Sequence, residues 1–408
     1  MVRSDGKDCA GNIMRDPIRV LHIFAPNYKH RFGGPIFDWK YAFSKWNNPE
    51  VQHFVFDPDN QRISDALEAF DFQISKQQFI PSRWERIRWV FTLQQLVNNH
   101  NKYDLIHFHV LWWAGLLMAL QAERKGIPTL YQSVLLNEDT PSGIVTERLG
   151  KLKIWCLKKF TVIVPISETL TEDYLKFGFR SAQVHTLMNS VDTDLFHPVE
   201  SEAKKRELRS KYALSEGVKI LLFVGSVIER KGVDILIDAF IKAQSTYEDL
   251  RLVIVGASNK NENPSINEGF IHHLKTTLDV AGLRDKVIFM GLVQDHEQLT
   301  EIYQASDIFV FPSRNEGLGN VVLEAMACGL PVIVSRLPVL IKVIQDRENG
   351  YCIPLNDAEA LRNALIDLIH NPQLADKISQ AARIYALTNH GFTEWQSQLG
   401  IIYKGLIE

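Results

Sequence analysis

The stretch Arg314–Ser335, RNEGLGNVVLEAMACGLPVIVS, places Glu316 and Glu324 eight positions apart around Gly317 and Gly319. It reads as a strand end, a turn and a helix start, with Asn320 expected to cap the helix. A helix N-terminus offers free amides and a partial positive charge, which suits a phosphate. Carboxylates repel phosphates but accept hydrogen bonds from sugar hydroxyls. Two acids around such a turn therefore suit a ligand with hydroxyls on both sides of a diphosphate, as in a nucleotide sugar. The same spacing also fits one solvated acid and one helix-surface acid.

A second group of charges lies in LLFVGSVIERKGVDILIDAF, Leu221–Phe240, where Arg230 and Lys231 sit at a strand-to-helix turn. Lys231 is placed to neutralise a leaving diphosphate, although two exposed surface cations would look the same. DLIHFHVLWW puts His107 and His109 at a strand end. The D-x-D stretches Asp57–Asp59 and Asp192–Asp194 resemble a metal motif, but each falls at a turn or linker, and no metal site is expected.

These residues need elements to position them. In the first half, strand-like runs at Arg19–Phe24, Val51–Phe56, Leu105–His109, Thr129–Gln132, Val162–Ile166 and Val184–Leu187 alternate with helical stretches. The latter are expected near Ile36–Lys45, Trp84–His100, Ala114–Lys125, Thr146–Lys159 and Glu168–Phe177. The pattern restarts with Lys219–Val224, Leu252–Val255, Val287–Phe289, Ile308–Phe311 and Val332–Val334. Such alternation implies an α/β protein built of two doubly wound parallel sheets, with a ligand cleft between their carboxyl ends. The expected division is a tail over 1–16, a first domain over 17–198, a second over 199–378, and terminal helices over 379–408, one of them crossing back to the first domain.

The chain has 408 residues, 46% of them apolar, and a net charge of −3, so nothing points to nucleic acid. Four scattered cysteines read as reduced thiols of a cytoplasmic protein. The first sixteen residues lack the apolar core of a signal peptide, and no apolar run approaches the roughly 20 residues needed to cross a bilayer.

The sequence resembles the GT-B glycosyltransferases, and within them the retaining family 4 (group 1). The likeness runs from about Val20 to Leu361 and is strongest in VGSVIERKGVDILIDAF, FPSRNEGLGNVVLEAMACGLPVIVS and NGYCIPLNDAEAL. The acidic pair matches that family's E-x7-E motif. LMNSVDTDLF and VPISETL match the stretch before the second domain and the serine turn after the first domain's last main strand.

The resemblance implies two Rossmann-like domains facing a cleft. It implies Glu324 on the ribose hydroxyls, Glu316 on the transferred sugar, and amides of Leu318, Gly319 and Asn320 around the diphosphate or sugar. It implies Lys231 on the phosphates, Gly33 and Gly34 as a backbone turn at phosphate or acceptor, and His109 on the donor sugar, with His107 packed beside its strand. The family places arginine where this chain has Ser226, which leaves Arg230 as the neighbouring cation. Gln132 and Ser133 stand where a histidine-glycine is usual, and Pro338 and Val339 replace a glycine pair near the acceptor side.

The reaction implied is a metal-independent, retaining hexosyl transfer from a UDP- or GDP-linked sugar to a glycan or lipid-linked hydroxyl, as in bacterial surface polysaccharide or lipopolysaccharide assembly. No separate cofactor is implied. The main alternative is a catalytically weak paralogue serving as a binding or regulatory subunit, motivated by Ser226. Trp84, Ile87 and Phe91, edged by Arg83 and Arg88, form a second aromatic helix face suited to peripheral contact with anionic lipid at the inner membrane face, while KLKIWCLKKF reads as an ordinary surface helix.

Overall fold

The computed structural model describes residues 17–23, 45–46, 50–56, 96–98, 100–109 and 111–408. Gly33, Gly34, Asp57–Asp59, the Trp84, Ile87 and Phe91 face and the stretch 36–44 lie outside them. Of Trp84–His100, only 96–98, which are helical, and the 3-10 turn beginning at His100 are described.

Runs of Val, Ile, Leu and Phe without alternation suit strands covered on both faces. In the first domain they are β1 (Ile18–Ile23), β2 (Val51–Phe56), β3 (Leu105–Phe108), β4 (Thr129–Ser133) and β5 (Val162–Pro165), all parallel in the order β2-β1-β3-β4-β5. The second domain holds β6 (Lys219–Val224), β7 (Leu250–Val255), β8 (Val287–Gly291), β9 (Ile308–Phe311), β10 (Val332–Ser335) and β11 (Tyr351–Ile353), parallel in the order β11-β10-β9-β6-β7-β8. The doubly wound α/β architecture is present twice. In the second sheet the chain runs outward through β7 and β8, then returns to β9 on the other side of β6. The crevice between the ends of β6 and β9 is the switch point at which such sheets bind ligands.

The two faces of the first sheet are covered differently. Leu21, Ile23, Ile106, Phe108, Tyr131 and Ile163 pack with helices of their own domain. Their strand neighbours Val20, Leu105, Leu130, Val162 and Val164 face the other way and meet Trp395, Leu399 and Tyr403 of the terminal helix Phe392–Gly405. Each of those three buried side chains contributes about 1.5–3 kcal/mol, so the chain's end is part of the first domain's core. The return is pinned where Val191 N donates to His390 O at 2.8 Å and His390 Nδ1 meets Asn189 O at 2.7 Å.

Two local expectations differ. Val184–Leu187 is not a strand; it touches β5 through one bridge, Ile163 to Val184, and two backbone hydrogen bonds. The helix expected from Thr146 starts only at Gly150, because Leu149 is left-handed (φ 63°) and breaks the first turn.

Candidate active site

The switch point is assembled by one tight contact. Gly232 has φ +69°, and a Cβ there would lie 2.0 Å from Pro312 O. Only a residue without a side chain lets the turn after β6 press on the end of β9. The 3-10 turn Glu229–Lys231 precedes Gly232, and the helix Val233–Gln244 follows it. Lys231 therefore reaches the loop that carries Glu316.

Glu316 Oε1 accepts from Lys231 Nζ at 2.6 Å, from Ser313 Oγ at 2.7 Å and from Arg230 Nη1 at 3.2 Å. Arg230 Nη1 also donates to Asn315 O at 2.7 Å. The Lys231 and Glu316 side chains are only 8% and 7% exposed, whereas Arg230 is 23% exposed. Burial pushes the Lys231 ammonium down, and the Glu316 charge and hydrogen bond oppose this. Lys231 Nζ also sits 4.8 Å above the Phe311 ring. Arg314 is directed elsewhere, in a double hydrogen bond to Asp234 at 2.7 and 2.9 Å. Ser226 is buried, and its Oγ accepts from Asn263 Nδ2 at 3.3 Å. Arg230 and Lys231 are thus the cations this turn presents at Glu316.

The helix Asn320–Ala327 begins one residue earlier than the sequence suggested. Gly319, left-handed at φ +82°, is its N-cap, and Asn320 is the first helical residue. Asn320 does not cap; its Oδ1 accepts from Asn189 Nδ2 of the first domain at 2.6 Å. Leu318 is buried beneath the turn. Glu324, one turn inside the helix, is also buried and accepts from Tyr303 OH at 2.9 Å. Burial lifts its carboxyl to about 7, against the Tyr303 hydrogen bond, which lowers it. Glu316 and Glu324 are therefore held by different partners. Ser313, Asn189 and Tyr303 were not anticipated. Ser313 and Asn189 lie inside the quoted stretches FPSRNEGLGNVVLEAMACGLPVIVS and LMNSVDTDLF with no role assigned to them, whereas nothing local to Tyr303 points to Glu324.

The first domain closes directly on this loop. A Cβ on Gly317 would lie 1.7 Å from Val134 O, and Asn315 Nδ2 donates to Leu136 O at 3.0 Å. The Val134–Leu136 segment is shaped by half-buried Asp139, whose carboxylate accepts from Val134 N and Leu135 N, both at 2.8 Å, and from Ser133 Oγ at 3.2 Å. Burial raises Asp139 to about 6, with those hydrogen bonds working against the rise.

His109 follows β3 inside a buried group of imidazoles. Its Nε2 lies 2.8 Å from His22 Nδ1 and its Nδ1 3.2 Å from Gln132 Oε1. His22 Nε2 in turn meets His53 Nδ1 at 2.8 Å, and His107 Nδ1 meets Tyr403 OH at 2.7 Å. One nitrogen each of His22, His107 and His109 lies within 4.8 Å of the others. Burial drives all three well below the usual histidine range. Both ring nitrogens of His109 are engaged within the first domain, one by the Gln132 that departs from the family pattern. In the Asp192–Asp194 stretch, Asp192 Oδ1 accepts from Asp194 N and Leu195 N at 3.0 and 3.1 Å, an Asx turn.

Comparison with known proteins gives the family of the chain. The family model for glycosyl transferases group 1 matches residues 204–385, and that for a glycosyl transferase 4-like domain matches residues 50–190. Mannosylfructose-phosphate synthase of Agrobacterium fabrum is 30% identical over 379 residues, 87% of this chain and 81% of that protein. D-inositol 3-phosphate glycosyltransferase of Xylanimonas cellulosilytica is 28% identical over 290 residues, 69% of this chain and 67% of that protein. Among solved structures, Anabaena HepE in complex with UDP and glucose shares the fold with a TM-score of 0.74 at 18% identity, covering 95% of this chain and 100% of that one. Sucrose-phosphate synthase of Thermosynechococcus elongatus does so with a TM-score of 0.67 at 24% identity, covering 96% and 99%. With these models matching in both halves and a relative 30% identical over 87% of this sequence, the chain belongs to the group 1 glycosyltransferases of the GT-B type.

Proposed function

We propose that the chain transfers a hexose from a UDP- or GDP-linked sugar to a hydroxyl of a glycan or lipid-linked acceptor, with retention of configuration and without a metal. The observation that carries this reading is the buried Lys231–Glu316 pair at the β6/β9 switch point, with Arg230 on the same carboxylate oxygen. Two cations held by one acid form a site that an incoming diphosphate can enter. Breaking the glycosidic bond builds negative charge on the leaving phosphate and positive charge on the sugar ring. Lys231, Arg230 and the amides of Leu318, Gly319 and Asn320 oppose the first charge, and such preorganised donors are commonly the largest catalytic term. Glu316 holds hydroxyls of the sugar and Glu324 those of the ribose. No side chain is assigned as a nucleophile; the leaving phosphate helps remove the acceptor proton, which accords with retention by front-face attack. Gly33 and Gly34 would let a backbone turn approach the phosphates or the acceptor. His109 would contact the sugar only after releasing His22 or Gln132.

The setting is surface polysaccharide or lipopolysaccharide assembly in the cytoplasm, at the inner membrane face. Release of nucleoside diphosphate from a panel of uridine, guanosine and adenosine diphosphate sugars, without acceptor, tests the donor. Slow turnover of one donor, lost in Glu316→Ala and Lys231→Ala, is expected. Donor binding with no turnover, with or without glycan and glycolipid acceptors, would instead favour the second reading, a binding or regulatory subunit, which Ser226 in place of the family arginine motivates.

A further inference from the structure

Among the described residues, fifteen large hydrophobic side chains are exposed. Most are scattered, as is ordinary for a protein surface. Six are not: Trp113 and Leu117 on the helix Trp113–Arg124, Leu152 and Trp155 on the helix Gly150–Leu157, and Val145 and Leu149 just before the latter. Trp113 and Trp155 are 40% and 52% exposed. The two helices pack side by side, and Lys153 Nζ, 5.4 Å above the Trp113 ring, joins their outer faces. Lys159 lies 5.7 Å over Trp155 and pairs with Glu123 at 3.1 Å.

The charge around this patch runs against that of the whole chain. Residues 148–159, RLGKLKIWCLKK, hold five cations and no acid in a protein of net charge −3. Two acids nearby, Glu147 and Glu123, are each paired with a lysine of the patch. Exposed tryptophan and leucine flanked by lysine and arginine match the boundary between lipid headgroups and acyl chains: the rings and leucines enter the apolar side and the cations meet anionic headgroups. No described helix is long and apolar enough to cross a membrane, so such contact lies along the surface.

We propose that the outer faces of the helices Trp113–Arg124 and Gly150–Leu157 form a docking surface for an anionic lipid bilayer. Its consequence follows from position. Trp113 comes four residues after His109, at the carboxyl end of β3, so the patch begins beside the cleft. Docking there holds the cleft's mouth near the headgroups, within reach of an acceptor hydroxyl carried on a lipid. The surface lies apart from the donor site, and the proposal stands whether or not the donor is a nucleotide sugar.

The test is sedimentation of the full chain with vesicles of phosphatidylcholine alone and of phosphatidylcholine with phosphatidylglycerol, at low and high salt. Binding to the anionic vesicles that weakens with salt is expected. Lys151→Glu with Lys158→Glu should weaken it at least about tenfold, since each cation near the surface contributes about 1 kcal/mol. Trp113→Ser with Trp155→Ser should weaken it at both salt concentrations. Circular dichroism and nucleoside diphosphate release without vesicles should be unchanged in both variants. Absence of binding, equal binding to both vesicles, or binding untouched by either pair would overturn the proposal. So would a concentration-dependent dimer abolished by the tryptophan pair, which would make this face an interface between copies.

Discussion

Lys231 Nζ lies 2.6 Å from Glu316 Oε1 with both side chains buried, although the two residues stand 85 positions apart. Breaking such a pair leaves an uncompensated charge, which costs about 3–5 kcal/mol. Glu316→Gln should therefore lower the urea midpoint, and Lys231→Met in the same chain should restore part of the loss. Equal stability of Glu316→Gln and the native chain would show that the neutral amide and solvent already satisfy Lys231.

Glu324 titrates near 7 in the folded chain because it is buried. A folded value above the ordinary 4.5 means that its ionisation opposes folding: the neutral acid's advantage is complete below 4.5 and is lost as pH rises through 7. If the ionised form accepts the ribose hydroxyls, affinity for the nucleoside diphosphate should rise about tenfold between about pH 6 and about pH 8. Calorimetric titration at the two pH values checks this, and Glu324→Gln should flatten the rise. A native profile already flat would remove Glu324 from donor binding.

Gly317 meets Val134 of the other domain with no room for a methyl group. Gly317→Ala should leave each sheet folded and thermal stability little changed, but prop the seam open. Misplacement of this order can cost about 100-fold in rate. Scattering should show a larger radius of gyration alongside the lost turnover. Unchanged radius and rate would mean that the contact is not needed for the working state.

The buried imidazoles make the first domain acid-sensitive. His53 is depressed to about 3, and His22, His107 and His109 are also held low by burial. The unfolded chain binds protons near about 6.5 and the folded chain does not, so stability present above that value is lost as pH falls below it, at up to about 1.4 kcal/mol per pH unit for each histidine. Asp139 and Glu324, both raised, act in the opposite sense. A comparison of His53→Gln with the native chain isolates the histidine contribution: its stability should fall less between about pH 6.5 and about pH 5. Parallel curves would show that His53 is protonated in the folded state.

Much of the architecture was legible before any coordinates. Strand runs such as Lys219–Val224 and Ile308–Phe311 match β6 and β9 residue for residue, because buried parallel strands need unbroken β-branched and aromatic segments. Helix boundaries were less legible. Asn320 looked like a cap, yet left-handed Gly319 ends the turn one residue sooner, and left-handed Leu149 delays another helix. KLKIWCLKKF reads from sequence as an ordinary surface helix; that its exposed Leu152 and Trp155 adjoin Trp113 and Leu117 is seen only in the structure.

The sequence alone determined the two parallel sheets, the E-x7-E turn and the cations at Arg230 and Lys231, since these follow from local periodicity and short spacing. Tertiary structure alone decided that Arg230 and Lys231 share one oxygen of Glu316, that Tyr303 reaches Glu324, and that Asp139 shapes the rim seated on Gly317. It also decided that His109 is held by His22 and Gln132 and that Tyr403 completes the first core. Apart from the local turn at Asp139, these join residues distant in the chain, and they meet because burying both faces of each sheet draws them together.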